Sequence, residues 1–431
     1  MVMANAVALV LLAGLITVRS FGMRFAGVSV VLFTICLLPL TLTDSPVIAH
    51  VGISGAVPQV RTFTIVLFLL ALAALVTGRV PRTGFLVLPF GVWLAFAATQ
   101  IWPSTPIVHA GLLQLSVGAI AWVVGTSLGA SIQDDRLARA LTLLIAGIVA
   151  IQVVVCTLQF AGVPINALAS TESDILGGRV NGTSNHPNNL GKMLFLLLIF
   201  LLPLTEQVSQ RFAKLALSAA VAMFVPLALA EGRANFAAVL AALVLWSLLT
   251  PKGRQMGAKL VFLCSAVVAV LLSGAVFLAR FDADPSGGVR PQILAIAMRA
   301  IPLHPFDGVG PNNYVTEIAS REGSFIPVHN TYVLLVAETG LIGAALFLGP
   351  IAYLFLRAVP LARVNPHARA VVAVGPGLFV VGWTGWGLLG TSILPLMMFA
   401  FGYALSALRP GAGESADLRA LRQQEEALRS R

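Results

Sequence analysis

Leu141-Thr-Leu-Leu-Ile-Ala-Gly-Ile-Val-Ala-Ile-Gln-Val-Val-Val-Cys-Thr-Leu-Gln-Phe160 runs without a single charge, and Arg136 and Arg139 stand just before it. As a helix rising about 1.5 Å per residue, it matches the roughly 30 Å hydrocarbon core of a bilayer. Working outward, stretches of the same kind recur along the chain. They fall roughly at 3–18, 26–42, 62–77, 84–100, 111–128, 188–204, 215–230, 233–249, 260–278, 331–355, 371–388 and 393–408. Composition agrees with a chain wrapped in lipid. Apolar residues make up 58% of 431 positions, charged residues only 10%, and the mean hydropathy is +0.93. A soluble domain carries about a quarter charged residues because its surface must face water. The sequence therefore predicts an all-α integral membrane protein, a polytopic bundle of 12–13 transmembrane helices. One transmembrane domain is expected over 1–408, with a tail over 409–431. The first 18 residues lack a basic n-region and read as the first span rather than a signal peptide. No period of 20–50 residues recurs, which argues against a repeat array.

The net charge of +10 raises nucleic acid as a partner, and the placement of the charges excludes it. Single Arg and Lys residues sit in short loops, with no basic stripe interleaved with aromatics. Nineteen of them fall in one alternate set of loops and the tail, including Arg79, Arg82, Arg136, Arg139, Lys252 and Arg254, against seven in the other set. The richer set is then cytoplasmic, and thirteen spans put the N-terminus outside. The tail, Arg409 to Arg431, alternates in sign and reads as a solvated helix. Cys36, Cys156 and Cys264 lie far apart inside apolar runs and read as small core residues.

Two outward loops stand out, about 161–187 and 279–330. Loops beyond about 15 residues are usually functional or disordered. Within the longer one, Leu294, Ala297, Met298 and Ile301 share a helical face, with Gln292 and Arg299 opposite. Pro291–Ile301 therefore reads as an amphipathic helix lying on the membrane. Gly308-Val-Gly-Pro-Asn-Asn313 reads as a turn, and Asn313–Arg321 as a second short helix.

Few residues have the chemistry for a reaction. Arg233 occupies a tight outward turn, Ala230-Glu-Gly-Arg-Ala-Asn-Phe236. A charge at the bilayer centre costs about 2.5–3.5 kcal/mol on insertion scales, less near a span end. Arg233 is thus either a snorkelling or Glu231-paired side chain, or an anion-binding arginine facing the interior. Arg290 follows the flexible Asp282-Ala-Asp-Pro-Ser-Gly-Gly288. A cation at a helix start opposes the helix dipole, so it fits either a solvated loop or a site that collects anions. His329, in Pro327-Val-His-Asn-Thr-Tyr332, is either structural or the proton acceptor that turns a hydroxyl into a nucleophile. Tyr332 lies one turn further on. Glu338 lies about two turns deeper, where an ionisable group normally faces the interior. Asn185-His-Pro-Asn-Asn189 opens a span with Lys192 one turn inside, and could cap the helix, bind sugar hydroxyls or hold phosphate. Gly340 and Gly343 read as helix-packing positions. There is no P-loop, HExxH or G-x-S-x-G. Asp282 and Asp284 form the one outward acidic pair at metal-ligand spacing, so neither metal nor cofactor is expected.

Taken together, three pieces resemble the O-antigen ligase/polymerase family of bacterial envelope polysaccharide enzymes. Val328-His-Asn-Thr-Tyr-Val-Leu-Leu-Val-Ala-Glu-Thr-Gly-Leu-Ile-Gly343 is similar to the family's His-Asn/Ser-x-Tyr…Glu-x-Gly-x-x-Gly signature. Gly288-Val-Arg290 followed by Pro305-Phe-Asp-Gly-Val-Gly-Pro-Asn-Asn-Tyr314 resembles its Arg-then-Gly-x-Gly loop. Asn185-His-Pro-Asn188 fits a recurrent His-Pro-Asn. Ala230-Glu-Gly-Arg233 departs from the family's Ser-Arg-Gly but keeps an arginine. The resemblance spans about 185–343. It implies a metal-independent, GT-C-like glycosyltransferase of the bacterial inner membrane, acting at the periplasmic face. Such an enzyme moves a glycan from undecaprenyl diphosphate to an acceptor hydroxyl. By this resemblance His329 is the general base, and Arg290 and Arg233 stabilise the departing diphosphate. Arg179, Asn185, Asn313, Tyr332 and Glu338 complete the expected substrate-binding set. The implied partners are the lipid-linked glycan, an acceptor glycan or lipid A–core, membrane lipid, and a flippase or chain-length regulator. Polymerase and ligase differ only in acceptor; the compact chain without an appended acceptor domain leans to polymerase. A transporter or flippase of an anionic lipid-linked substrate is the main alternative, and it would want paired broken helices in two matching halves. A peptidoglycan-polymerase type would want an outward catalytic Asp, for which Asp174 is the candidate.

Overall fold

The computed structural model describes residues 23–39, 57–129, 135–163, 165, 179–184, 186–251, 257, 259–264, 267, 290–390 and 392–408. Among these residues the chain is helical, with no β-strand. The first group of helices is α1 (Met23–Cys36), α2 (Thr62–Val76), α3 (Leu88–Gln100), α4 (Pro106–Gly129) and α5 (Asp135–Phe160). Next come α6 (Pro187–Gln207), α7 (Gln210–Ala222), α8 (Phe224–Leu229) and α9 (Arg233–Leu249). After the long loop's α10 (Arg290–Ala300), the chain ends with α11 (Thr331–Ala358), α12 (Pro366–Thr384) and α13 (Ile393–Ala407). The expected spans fall on these helices, except that 3–18 and most of 260–278 lie outside the described residues, as does the tail 409–431. Among the described residues, six helical stretches are long and apolar enough to cross a membrane, including Pro106–Gly129, Arg136–Phe160, Pro187–Gln207 and Thr331–Leu361. The chain is a multi-pass membrane protein.

Burial sorts the helices into pillars and a lipid-facing shell. Every residue of α6 from Leu190 to Thr205 is buried, and so is all of α13. Around them, α2 turns Phe68, Leu69, Leu75 and Val76 outward, and α5 does the same with Val154 and Phe160. In water such a surface would drive aggregation; against lipid tails it is neutral, and helices associate through close packing instead. The α4–α13 pair shows how. Gly118, Gly125 and Gly129 of α4 face Leu394, Phe399, Tyr403 and Ser406 of α13. A Cβ on Gly125 would lie 2.3 Å from the Phe399 carbonyl oxygen, so the backbones themselves touch. Gly125→Leu is therefore expected to lower the melting temperature of the detergent-purified protein. Overpacking of this kind costs about 1–3 kcal/mol or more. Gly91→Ala, on α3 with nothing within 4 Å of a new Cβ, should leave it unchanged or higher.

One end of the bundle is locked by a buried ion pair between Glu206, near the end of α6, and Arg369, near the start of α12. Arg369 also donates to the Ala362 and Arg363 carbonyls, both at 3.0 Å. There too the Asn365 side chain caps α12 and donates to the Ala407 carbonyl at the end of α13, 3.2 Å away. The starts of α6, α9 and α11 accordingly gather at the opposite end.

Two sequence expectations change in the long loop and the helix after it. The span beginning at Thr331 is not continuous: Gly340 breaks α11 with φ +69° and ψ 177°. A Cβ at Gly340 would meet the Phe306 carbonyl oxygen at 2.0 Å, so its role is backbone approach rather than helix–helix packing. The segment read as a turn is a strap seated across this break. Val309 and Gly310 N–H donate to the Ala337 and Glu338 carbonyls at 3.0 and 2.9 Å, while Leu341 N–H donates to the Pro305 carbonyl at 2.9 Å. The break frees backbone groups where no water can satisfy them, and the strap replaces the lost partners. Gly343 does pack as expected, against Thr339 and Trp93. The second difference is the face of α10. Ile293 and Ala297 are buried while Met298 is exposed, because α10 docks on α11 and on the turn Val315–Ala319. The expected second short helix is a π turn, Val315–Ala319, followed by a 3-10 turn, Ser320–Glu322.

Candidate functional site

Three helix starts and one inter-helix turn build the site. His186 caps α6: its Nδ1 accepts from Asn188 N–H at 3.0 Å, with Pro187 in the first helical position, where its missing N–H matters least. Burial, then the charges of Lys192 and Arg179, push His186 down to about 4, so its ring is neutral at physiological pH. The adjoining turn into α9 is strained, with Glu231 at φ +52°. Arg179 holds that turn through two hydrogen bonds to the Ala230 carbonyl, at 3.0 and 2.7 Å, and reaches Asn188 Oδ1 at 3.2 Å. Asn235 Nδ2 donates to the Asn188 carbonyl at 3.2 Å. Arg179, Asn188 and the turn that presents Arg233 thus form one hydrogen-bonded unit.

His329 arrives from the other side. Asn330 caps α11, its Oδ1 accepting from Tyr332 and Val333 N–H at 3.0 and 3.1 Å. Thr331 Oγ1 donates to the Gly385 carbonyl past the end of α12, at 2.6 Å. The cap fixes the residue immediately before it. His329 Nδ1 is buried and makes no well-formed hydrogen bond. Burial and then the charges of Arg290 and Lys192 hold the ring below its ordinary pKa, with the Pro327 carbonyl pulling weakly the other way. The ring is therefore unprotonated at neutral pH and able to accept a proton. Arg290 is the first residue of α10 and exposed, where an anion can reach it.

Of the remaining expected residues, Glu338 and Asn313 brace the strap below α10. The Glu338 carboxylate accepts from the backbone N–H groups of Asn312 and Tyr314. Asn313 Nδ2 donates to the Val309 carbonyl at 2.9 Å. Tyr314, fully buried and raised to about 12 by burial and then by Glu338, reaches the Ile293 carbonyl of α10 at 3.5 Å. Glu338, the strap and Tyr314 therefore hold the helix of Arg290 against the helix that follows His329. Tyr332 turns away from this group: its hydroxyl donates to the Leu378 carbonyl of α12 at 3.4 Å and its ring stacks on Phe379. Asn185, Asp174, Asp282 and Asp284 lie outside the described residues.

The sequence reading left Lys192 out of the site, and the structure puts it in. Its charge acts on both His186 and His329, disfavouring the protonated form of each. Lys192 is 5% exposed. The signal was present: a lysine one turn inside an otherwise apolar span is costly to insert and calls for a reason. Arg290 and Lys192 thus both lie near enough for their charges to act on His329, at the end of the bundle where Arg179 and Arg233 also sit. Among the described residues no group of three or more His, Cys, Asp or Glu is placed to hold a metal ion.

Residues 218–348 match a family model described as O-antigen ligase. The matched segment contains Arg233, Arg290, His329 and Glu338; it leaves out Arg179, His186 and Lys192. No curated protein matches the chain.

Proposed function

We propose, from the match of residues 218–348 to the O-antigen ligase family model, that this membrane protein is a glycosyltransferase for undecaprenyl-diphosphate-linked glycan. What supports the reading is the buried His329 imidazole at the start of α11, held towards its neutral form by burial and by the charge of Arg290, at the end of the bundle that also presents Arg233. His329 takes the proton of an acceptor hydroxyl as its oxygen attacks the anomeric carbon. The bond from that carbon to the diphosphate oxygen breaks, and negative charge grows on the departing lipid diphosphate. Arg290 and Arg233 meet that charge. A guanidinium is always protonated and binds phosphate through two parallel hydrogen bonds, and preorganised cations in a poorly hydrated site supply several kcal/mol of transition-state stabilisation. On the charge count of the loops, this end faces the periplasm.

The test is turnover by the purified chain given lipid-linked repeat units. A ladder of products marks a polymerase; transfer only on addition of lipid A–core marks a ligase. Because the arginines do the work of a metal ion in this scheme, a chelator is expected to leave the yield unchanged. A chelator-sensitive yield restored by a divalent cation contradicts that part. Scrambling of labelled lipid across vesicles with no turnover would replace the enzyme with a transporter.

A further inference from the structure

We infer that Lys192 and the outer end of α6 form a phosphate seat, which holds a phosphate of the lipid diphosphate alongside Arg290. This rests on the proposed function and adds a cation that lies outside the matched O-antigen ligase segment.

Three observations lead to it. Lys192 is 5% exposed on a helix whose residues are all buried from Leu190 to Thr205, so its ammonium cannot escape sideways to lipid headgroups. A buried cation is strongly destabilising unless paired, yet among the described residues Lys192 Nζ has no ion pair and no hydrogen bond. The two imidazoles it acts on are both biased towards the neutral form, so neither adds a second positive charge to repel an anion there. The chain has also made room there: a Cβ on Gly387, in the turn between α12 and α13, would lie 2.1 Å from Nζ and 3.4 Å from Asn189 Oδ1. An uncompensated ammonium beside an amide, at the positive end of a 21-residue helix, fits an anion with several acceptor oxygens. At the end of an apolar bundle that anion is a phosphate ester carried by a lipid.

Binding by the purified full chain tests this, with farnesyl diphosphate, farnesol and inorganic pyrophosphate as probes. Wild type is expected to favour farnesyl diphosphate over farnesol and over pyrophosphate. Lys192→Met, which keeps length and loses charge, should weaken farnesyl diphosphate at least tenfold, leave farnesol unchanged and not lower the ligand-free melting temperature. Lys192→Arg should recover part of the affinity, and Gly387→Val should mimic the loss by crowding the ammonium. A lower ligand-free melting temperature with unchanged diphosphate affinity in Lys192→Met makes the lysine structural and overturns the inference. If Arg290→Gln loses affinity and Lys192→Met does not, the lipid-diphosphate reading stands and the seat falls alone. If wild type does not distinguish farnesyl diphosphate from farnesol, both fall. Pyrophosphate binding as tight as farnesyl diphosphate overturns the lipid assignment of the seat.

Discussion

His329→Ala is expected to stop glycan transfer while the protein still inserts and folds. A positioned general base contributes about 10²–10⁴ in rate, and the sugar acceptor's hydroxyl is otherwise a poor nucleophile. The imidazole lies just outside the cap of α11, whose hydrogen bonds come from Asn330 and Thr331 rather than from His329. Its loss therefore leaves the helix start intact, and a melting temperature near that of wild type is expected. Transfer measured against pH carries the same assignment further. The groups acting on the ring are Arg290 and Lys192, which disfavour its protonation, and the Pro327 carbonyl, which favours it; burial disfavours the charged form most. In the proposed reaction the active form is the neutral one. Activity should thus persist below pH 6.5, histidine's ordinary value, and fail only when acid protonates the ring. Taking away either cation raises the imidazole pKa, so Lys192→Met should move the acid limb of kcat/KM to higher pH. An unmoved limb in that variant means the two groups do not share a field.

Arg290→Ala should lower turnover by about 10²–10³, the range for losing one preorganised donor to a developing oxyanion. Arg290→Lys should restore only a small part, because an ammonium keeps the charge but lacks the planar fork that grips two phosphate oxygens. The effect should fall on kcat more than on KM, since charge on the lipid diphosphate grows as the sugar leaves. Arg290 is exposed at the first position of α10, so neither variant opens a cavity and stability should not change. Full transfer by Arg290→Lys would reduce the arginine to a general positive charge. Wild-type transfer by Arg290→Ala would remove it from the reaction.

Much of this molecule is legible in the chain because a span announces itself by length and lack of charge. The helices α2, α5, α6 and α9 follow the apolar stretches to within a few residues. Arg290 at a helix start and His329 at the edge of a span also read directly, since a cation against the helix dipole and an ionisable group at a span end both break a local rule. What did not read is tertiary. Gly340 looks like any glycine in a membrane helix, and only the strap from Pro305 to Gly310 shows why the helix must break there. Met298 fits the apolar face of α10 by spacing along with Ala297, yet docking on α11 buries Ile293 beside Ala297 and leaves Met298 exposed. Asn313, Tyr332 and Glu338 carry groups able to bind sugar, and the fold engages each with its own backbone. Lys192 was visible, but its closeness to the Trp386–Leu389 turn depends on how α6 packs against α12 and α13, which no single stretch records.

The most direct measurement is an experimental structure of the full chain in lipid nanodiscs with a non-transferable lipid diphosphate bound. The expected result is one diphosphate contacting the guanidinium groups of Arg290 and Arg233, with the imidazole of His329 facing the open position where an acceptor hydroxyl would stand. A diphosphate bound elsewhere, or Arg290 and Arg233 too far apart to reach the same ligand, would contradict the proposed reaction and leave a multi-pass helical protein whose chemistry lies in other residues.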